Sequence, residues 1–148
     1  MPSKFQTKVA TGAAQYLEPG ERVLAAMSAS LKGRSQTLAG NIASQAIGGT
    51  QTRKSREAAG AAEVALPKSQ TIGIVVTDRR LLLLGLGAGA SVKEFASAVP
   101  LSDVASITVK RFGLAGTTAI NVRGSEIKFE GRVGAGRELE EALASARR

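Results

Sequence analysis

Between Thr71 and Leu84 the chain carries two short apolar runs, Ile72-Gly73-Ile74-Val75-Val76 and Leu81-Leu82-Leu83-Leu84, separated by the polar turn Thr77-Asp78-Arg79. Apolar runs this short, broken by turn residues, suit buried strands rather than helices. With only a tight turn between them, the two strands must pair antiparallel, which is a hairpin signal. The fold must therefore be built outward from an antiparallel pair.

The flanking sequence continues in the same style. Val23, Ala25, Met27 and Ala29 alternate with Leu24, Ala26, Ser28 and Ser30, which predicts a first strand over 22–31. Further strands are expected at 71–77, 80–85, 91–99, 105–111, 117–123 and 125–130, with Gly124-Ser125 suiting the tight last connection. Two helices flank them. Ser3 and Gln6 fit a capping box, Phe5, Val9, Ala13, Tyr16 and Leu17 recur at helical spacing, and Pro19-Gly20 stops the helix at 17. At the other end, Leu139, Ala142, Leu143 and Ala146 share one face of a helix over 137–147, with Glu138, Glu140 and Glu141 early and arginines late, as the helix dipole favours.

Residues 33–66 interrupt this pattern. They are rich in Ala, Gly, Ser, Thr and Gln, with Leu38, Ile42, Ile47, Val64 and Leu66 as the larger apolar anchors. Leu38, Ile42 and Ala46 or Ile47 fall about four apart, and Gly40, Ser44 and Gly48 form a parallel stripe of small residues. Such spacing lets helices approach closely. A partly helical insertion outside the sheet, broken at Gly48-Gly49 and Gly60, is expected.

Several motifs occur in a recognisable order: Gly20-Glu21, then Thr77-Asp78-Arg79-Arg80-Leu81, then Pro100-Leu101-Ser102-Asp103-Val104 leading into a strand. Together with the strand count, they resemble the bacterial pleckstrin-homology-like (PH-like) domain family over about residues 20–147. The resemblance implies a mainly β fold with α: a seven-stranded antiparallel PH-like barrel or sandwich capped by a C-terminal helix. On that plan residues 1–19 are an added N-terminal amphipathic helix, 20–148 the PH-like domain, and 33–66 an insertion between the first two strands. Asp78, Arg79 and Arg80 are expected to act structurally, Asp78 by accepting backbone hydrogen bonds at the turn and the arginines by laying their stems on the sheet.

Composition removes most chemistry. The 148 residues include no Cys and no His, so thiolate nucleophiles, disulfides, imidazole bases and the usual zinc ligands are all missing. Ser and Thr are plentiful, but no spacing supplies an activating partner. Gly85-Leu86-Gly87-Ala88-Gly89-Ala90 after an apolar strand meets a relaxed dinucleotide fingerprint, yet hairpins on either side demand antiparallel pairing that a doubly wound fold does not supply. No enzyme, cofactor or metal is expected.

What remains is binding. The net charge is +8, and five basic residues (Lys32, Arg34, Arg53, Lys54, Arg56) lie between 32 and 56 with no acid among them, followed by Lys68. Such a surplus is either solvated loop or an attractor of phosphate-bearing surfaces. In lipid-binding PH domains the first inter-strand loop holds inositol phosphates, so the resemblance implies an acidic lipid surface as partner. A nucleic acid would want aromatic platforms among the cations, and with aromatics at 3% only Phe112 beside Lys110-Arg111 offers one. Self-association is the other expectation, through Phe5, Val9 and Tyr16 on the first helix and Leu38, Ile42 and Ile47 in the insertion, because bacterial PH-like domains are known as oligomerising scaffolds. A peptide-binding scaffold without lipid affinity is the alternative, since sheet edges can also accept a peptide. The first residues lack the apolar stretch of a signal peptide, so a cytoplasmic protein, peripheral to the inner face of the membrane, is expected.

Overall fold

A computed structural model describes residues 4–31, 57–67, 69, 71–87, 91–112 and 115–147. An N-terminal helix (Lys4–Ala13) runs into a short 3-10 turn (Ala14–Tyr16). Seven strands follow: β1 (Val23–Leu31), β2 (Thr71–Thr77), β3 (Arg80–Leu86), β4 (Val92–Pro100), β5 (Val104–Phe112), β6 (Ala115–Val122) and β7 (Ser125–Arg132). A C-terminal helix (Val133–Ala146) ends the chain. All strand pairs are antiparallel, in the order β4-β3-β2-β1-β7-β6-β5. The mainly β plan of seven antiparallel strands with a C-terminal helix is the one expected, and every expected strand is present to within two residues.

The unbroken apolar character of β2 and β3 has a direct cause. Ile72, Ile74, Val76, Leu81 and Leu83 face the main core, while Val75, Leu82, Leu84 and Leu86 face a second cluster on the opposite side. The N-terminal helix supplies that second cover: Val9 and Ala13 are fully buried against these side chains. A strand covered on both faces has no polar side to show, so its sequence does not alternate. β6 and β7, by contrast, bury Ile120, Val122, Ile127 and Phe129 and turn Asn121, Glu126 and Glu130 outward, which is why they alternate. Their hairpin turn is Arg123-Gly124, one residue earlier than expected, with φ of 51° and 89°. Two successive left-handed residues make the type I′ geometry whose twist matches the strands, and glycine adopts it at no steric cost.

Two expectations need correction. The barrel is not closed. β4 and β5 follow each other in the chain across the turn Leu101–Asp103, yet they lie at opposite ends of the strand order, and β1 joins β7 only over Ala29–Leu31. Nor does the whole insertion stay outside. Residues 57–61 form a helical segment, and Ala59, Ala62 and Val64 are buried in the main core, with Glu63 left-handed at φ 59° ending the turn. This segment reaches both sides of the open seam. Ser97 of β4 donates to the Ala65 carbonyl at 2.9 Å, and Arg123 Nη1 donates to the Ala62 carbonyl at 2.6 Å. Ala59 and Ala62 are small because they fill a narrow gap. The remaining part, including Leu38, Ile42 and Ile47, lies outside the described residues.

The C-terminal helix starts at Val133, four residues ahead of the sequence estimate of 137, because β7 passes into it without a loop. Leu139, Ala142 and Leu143 seal the core. Gly136 permits the approach, since a Cβ there would stand 2.5 Å from Thr118 Oγ1 and 3.1 Å from a Val109 methyl. At the far end Arg147 donates to the carbonyls of Ala105 (3.1 Å), Leu101 (3.3 Å) and Val104, pinning the helix across the turn before β5.

Ala62 is fully buried, which makes it a reporter on the plug. Ala62→Leu is expected to cost about 1–3 kcal/mol through overpacking, measured as a lowered urea midpoint with an unchanged slope. A neutral outcome would place 57–66 outside the core.

Candidate functional site

Two ends of the sheet gather the polar residues. At the end where β1 begins, Glu21 is a carboxylate with a fully buried side chain. Arg80 grips it with two bonds, Nε to Oε2 at 3.0 Å and Nη2 to Oε1 at 2.7 Å. Thr77 donates its hydroxyl to Oε2 at 2.6 Å, and the backbone N–H of Glu18 donates to Oε1 at 2.9 Å. Arg80 Nη2 also reaches the Tyr16 carbonyl at 3.0 Å, so the end of the N-terminal helical segment is tied to the β2–β3 hairpin. The Thr77 hydroxyl oxygen meanwhile accepts from the N–H groups of Arg79 (3.1 Å) and Arg80 (2.8 Å), which closes the turn.

Asp78 works across the sheet. Its Oδ1 accepts from the Arg22 N–H at 3.0 Å while its own N–H donates to the Arg22 carbonyl at 3.0 Å, fastening the hairpin to the start of β1. Arg79 sits 3.6 Å from Glu18 in an exposed pair that adds little. Sequence reasoning quoted Glu21 only as part of a motif and did not pair it with Arg80. The signal was present, because a glutamate beside Gly20 and an arginine ending the Thr77–Arg80 turn both lie at one end of adjacent strands.

The hydrogen bonds from Arg80, with those from Thr77 and Glu18, hold the Glu21 carboxyl down at about 2, against the opposing pull of burial and from an ordinary value of 4.5. The same pairing raises Arg80 further. This network fastens the segment before β1 to the β2–β3 turn.

At the opposite end the connections β1–β2, β3–β4 and β5–β6 emerge together with the close of β7, as antiparallel alternation requires. The described cations here are Lys93 on β4, Lys110 and Arg111 on β5, and Arg132 on β7, all exposed. Phe112 pairs with Ala115, which pairs in turn with Arg132, so the ends of β5 and β7 are two strands apart. Glu94 accepts from the Ser69 N–H at 3.1 Å and anchors the last part of the β1–β2 connection to β4. Lys32, Arg34, Arg53, Lys54, Arg56 and Lys68 lie outside the described residues. The glycine run after β3 leads into an antiparallel strand, not a helix N-terminus, so the dinucleotide geometry is not formed there. Of the proposed assembly residues, Val9 is spent on its own sheet, Phe5 lies on the same helix, and Tyr16 stacks on Phe95 with ring centroids 5.0 Å apart. Among the described residues no helix is long and apolar enough to cross a membrane.

No protein-family model matches the sequence, and no curated protein matches it. Among solved structures it is similar to a PH domain within OCRL, described as bridging clathrin-mediated membrane trafficking to phosphoinositide metabolism. The two share 13% identity with a TM-score of 0.47, covering 98% of this chain and 83% of that one.

The depressed value at Glu21 sets a pH dependence with a definite sign. The folded state binds the proton more weakly than the unfolded chain, so the contribution is complete above about pH 4.5 and is lost as the pH falls towards about 2. Its full size is on the order of 3 kcal/mol. Urea midpoints of the native chain should therefore fall steeply across that window. Glu21→Gln should lose about 3 kcal/mol at neutral pH by stranding Arg80 and should flatten the slope below pH 4.5.

Proposed function

We propose that the chain is a non-enzymatic PH-like binding and assembly module that docks an anionic surface, acidic lipid in particular, through its β1–β2 connection. The residues that carry it are Lys32, Arg34, Arg53, Lys54, Arg56 and Lys68. One observation supports this reading above the others. The most basic acid-free stretch of the sequence joins the same end of the sheet at which Lys93, Lys110, Arg111 and Arg132 stand. The described cations of three strands, β4, β5 and β7, thereby share the end of the sheet from which that connection departs, and the attraction of several cations to a charged plane adds up.

The magnitudes favour a reversible, peripheral contact. Each basic residue near an anionic membrane contributes about 1 kcal/mol, screened by salt. Five such residues give useful affinity without any inserted segment. Self-association is kept as the assembly half of the reading, resting on the Tyr16–Phe95 surface, where Phe95 is 40% exposed, and on Leu38, Ile42 and Ile47.

Flotation with vesicles of neutral lipid, alone or with acidic lipid, tests the docking half. Binding is expected only with acidic lipid and should weaken sharply between low and high salt. Exchanging Lys32, Arg34, Arg53, Lys54 and Arg56 for Gln should abolish it while leaving the urea midpoint in place. Unchanged flotation of that variant would refute the assignment. Sedimentation of the same samples reads the assembly half separately.

A further inference from the structure

Residues 57–66 fill the open seam of the sheet, but they are joined to it differently from the strands. Their backbone bonds are internal: the Ala62 N–H donates to the Ala58 carbonyl at 3.0 Å, Glu63 to Gly60 at 3.1 Å and Val64 to Ala59 at 2.8 Å. The last two bonds, with Glu63 left-handed at φ 59°, cap the helical turn at a position that favours glycine. The segment is thus a self-contained plug. Two side-chain bonds tie it to the body of the domain, Ser97 to the Ala65 carbonyl and Arg123 to the Ala62 carbonyl. Water reaches both ties, since the first is exposed and the Arg123 side chain is 39% exposed. The side chains the plug buries, Ala59, Ala62 and Val64, are small, and Leu66 is only partly buried, so the apolar area that seats it is small too.

The tie at Ala62 carries a further mark. Among the described residues, the non-glycine residues with positive φ are Glu63 and Arg123, and they stand on either side of this one bond. Arg123 opens a turn that favours asparagine or glycine, and its fork is divided between Asp103 and the plug. The backbone cost at Glu63 is relieved when the helical turn unwinds, which favours opening.

Arg53, Lys54 and Arg56 directly precede the plug in the sequence. While seated, the plug fixes the far end of that basic stretch at Glu57. With the plug out, the next described tie along the chain is Ser69, whose N–H donates to Glu94. Opening therefore gives the stretch slack, and slack lets its cations conform to a charged plane. A surface that binds one state better shifts the equilibrium towards that state.

We propose that residues 57–66 are a displaceable plug, which leaves the seam while the sheet stays folded and is drawn out when the basic stretch before it docks on acidic lipid. The coupling to lipid rests on the docking reading above; the independent opening does not.

The chain has no cysteine, so Val64→Cys and Val76→Cys each place one thiol, the first in the plug and the second on β2 in the same core. Iodoacetamide, which is uncharged, should modify position 64 about tenfold faster than position 76, because the plug opens more often than the sheet. Relative to position 76, Glu63→Gly should slow the reaction at 64 and Arg123→Lys should speed it. Vesicles of phosphatidylcholine with phosphatidylserine should speed it about threefold, and phosphatidylcholine alone should not. By reciprocity, Glu63→Gly should float less well with the acidic vesicles although it removes a negative charge, and Arg123→Lys, with charge unchanged, should float better. Both signs differ from what charge alone predicts. Equal rates at 64 and 76 would make opening a global unfolding event and overturn the proposal. Flotation without faster reaction at 64 overturns it while the docking reading stands. Absence of flotation refutes the docking reading, and the coupling falls with it.

Discussion

The buried pairing of Glu21 with Arg80 decides how the N-terminal third of the chain is placed. A carboxylate stripped of water costs several kcal/mol unless its lone pairs are filled, and here four donors fill them: two from Arg80, the Thr77 hydroxyl and the Glu18 N–H. Only one arrangement of the linker, β1 and the β2–β3 turn satisfies all four together. Apolar packing alone tolerates sliding of one element on another, whereas this set of bonds does not. The N-terminal helix is consequently delivered to the outer face of β2 and β3 in a defined position, where Val9 and Ala13 cover Leu82 and Leu84.

The open seam of the sheet lies elsewhere. With β4 and β5 not paired to each other and β1 joined to β7 over three residue pairs, an open sheet of this kind would leak water into its core. Three devices prevent it. The 57–66 segment inserts Ala59, Ala62 and Val64, Arg123 ties that segment while pairing with Asp103 at 2.8 Å, and Arg147 fastens the C-terminal helix over the β5 side. Arginine suits both posts because its planar fork can satisfy several carbonyl or carboxylate oxygens at once.

The elements legible in the sequence were those whose pattern is local. β2 and β3 announced themselves by continuous apolar runs, β6 and β7 by alternation, and the C-terminal helix by Leu139, Ala142 and Leu143 on one face. The plug at 57–66 was not legible, because Ala59, Ala62 and Val64 are chosen by the size of a gap between strands distant in sequence. The start of the last helix was missed for a related reason: Gly134 and Gly136 argue against a helix locally, while the contact of Gly136 with Thr118 and Val109 demands one. At the candidate site the basic stretch was visible as composition. The pairing of Glu21 with Arg80 was not, since the two stand far apart in sequence and meet only through the register of β1 on β2.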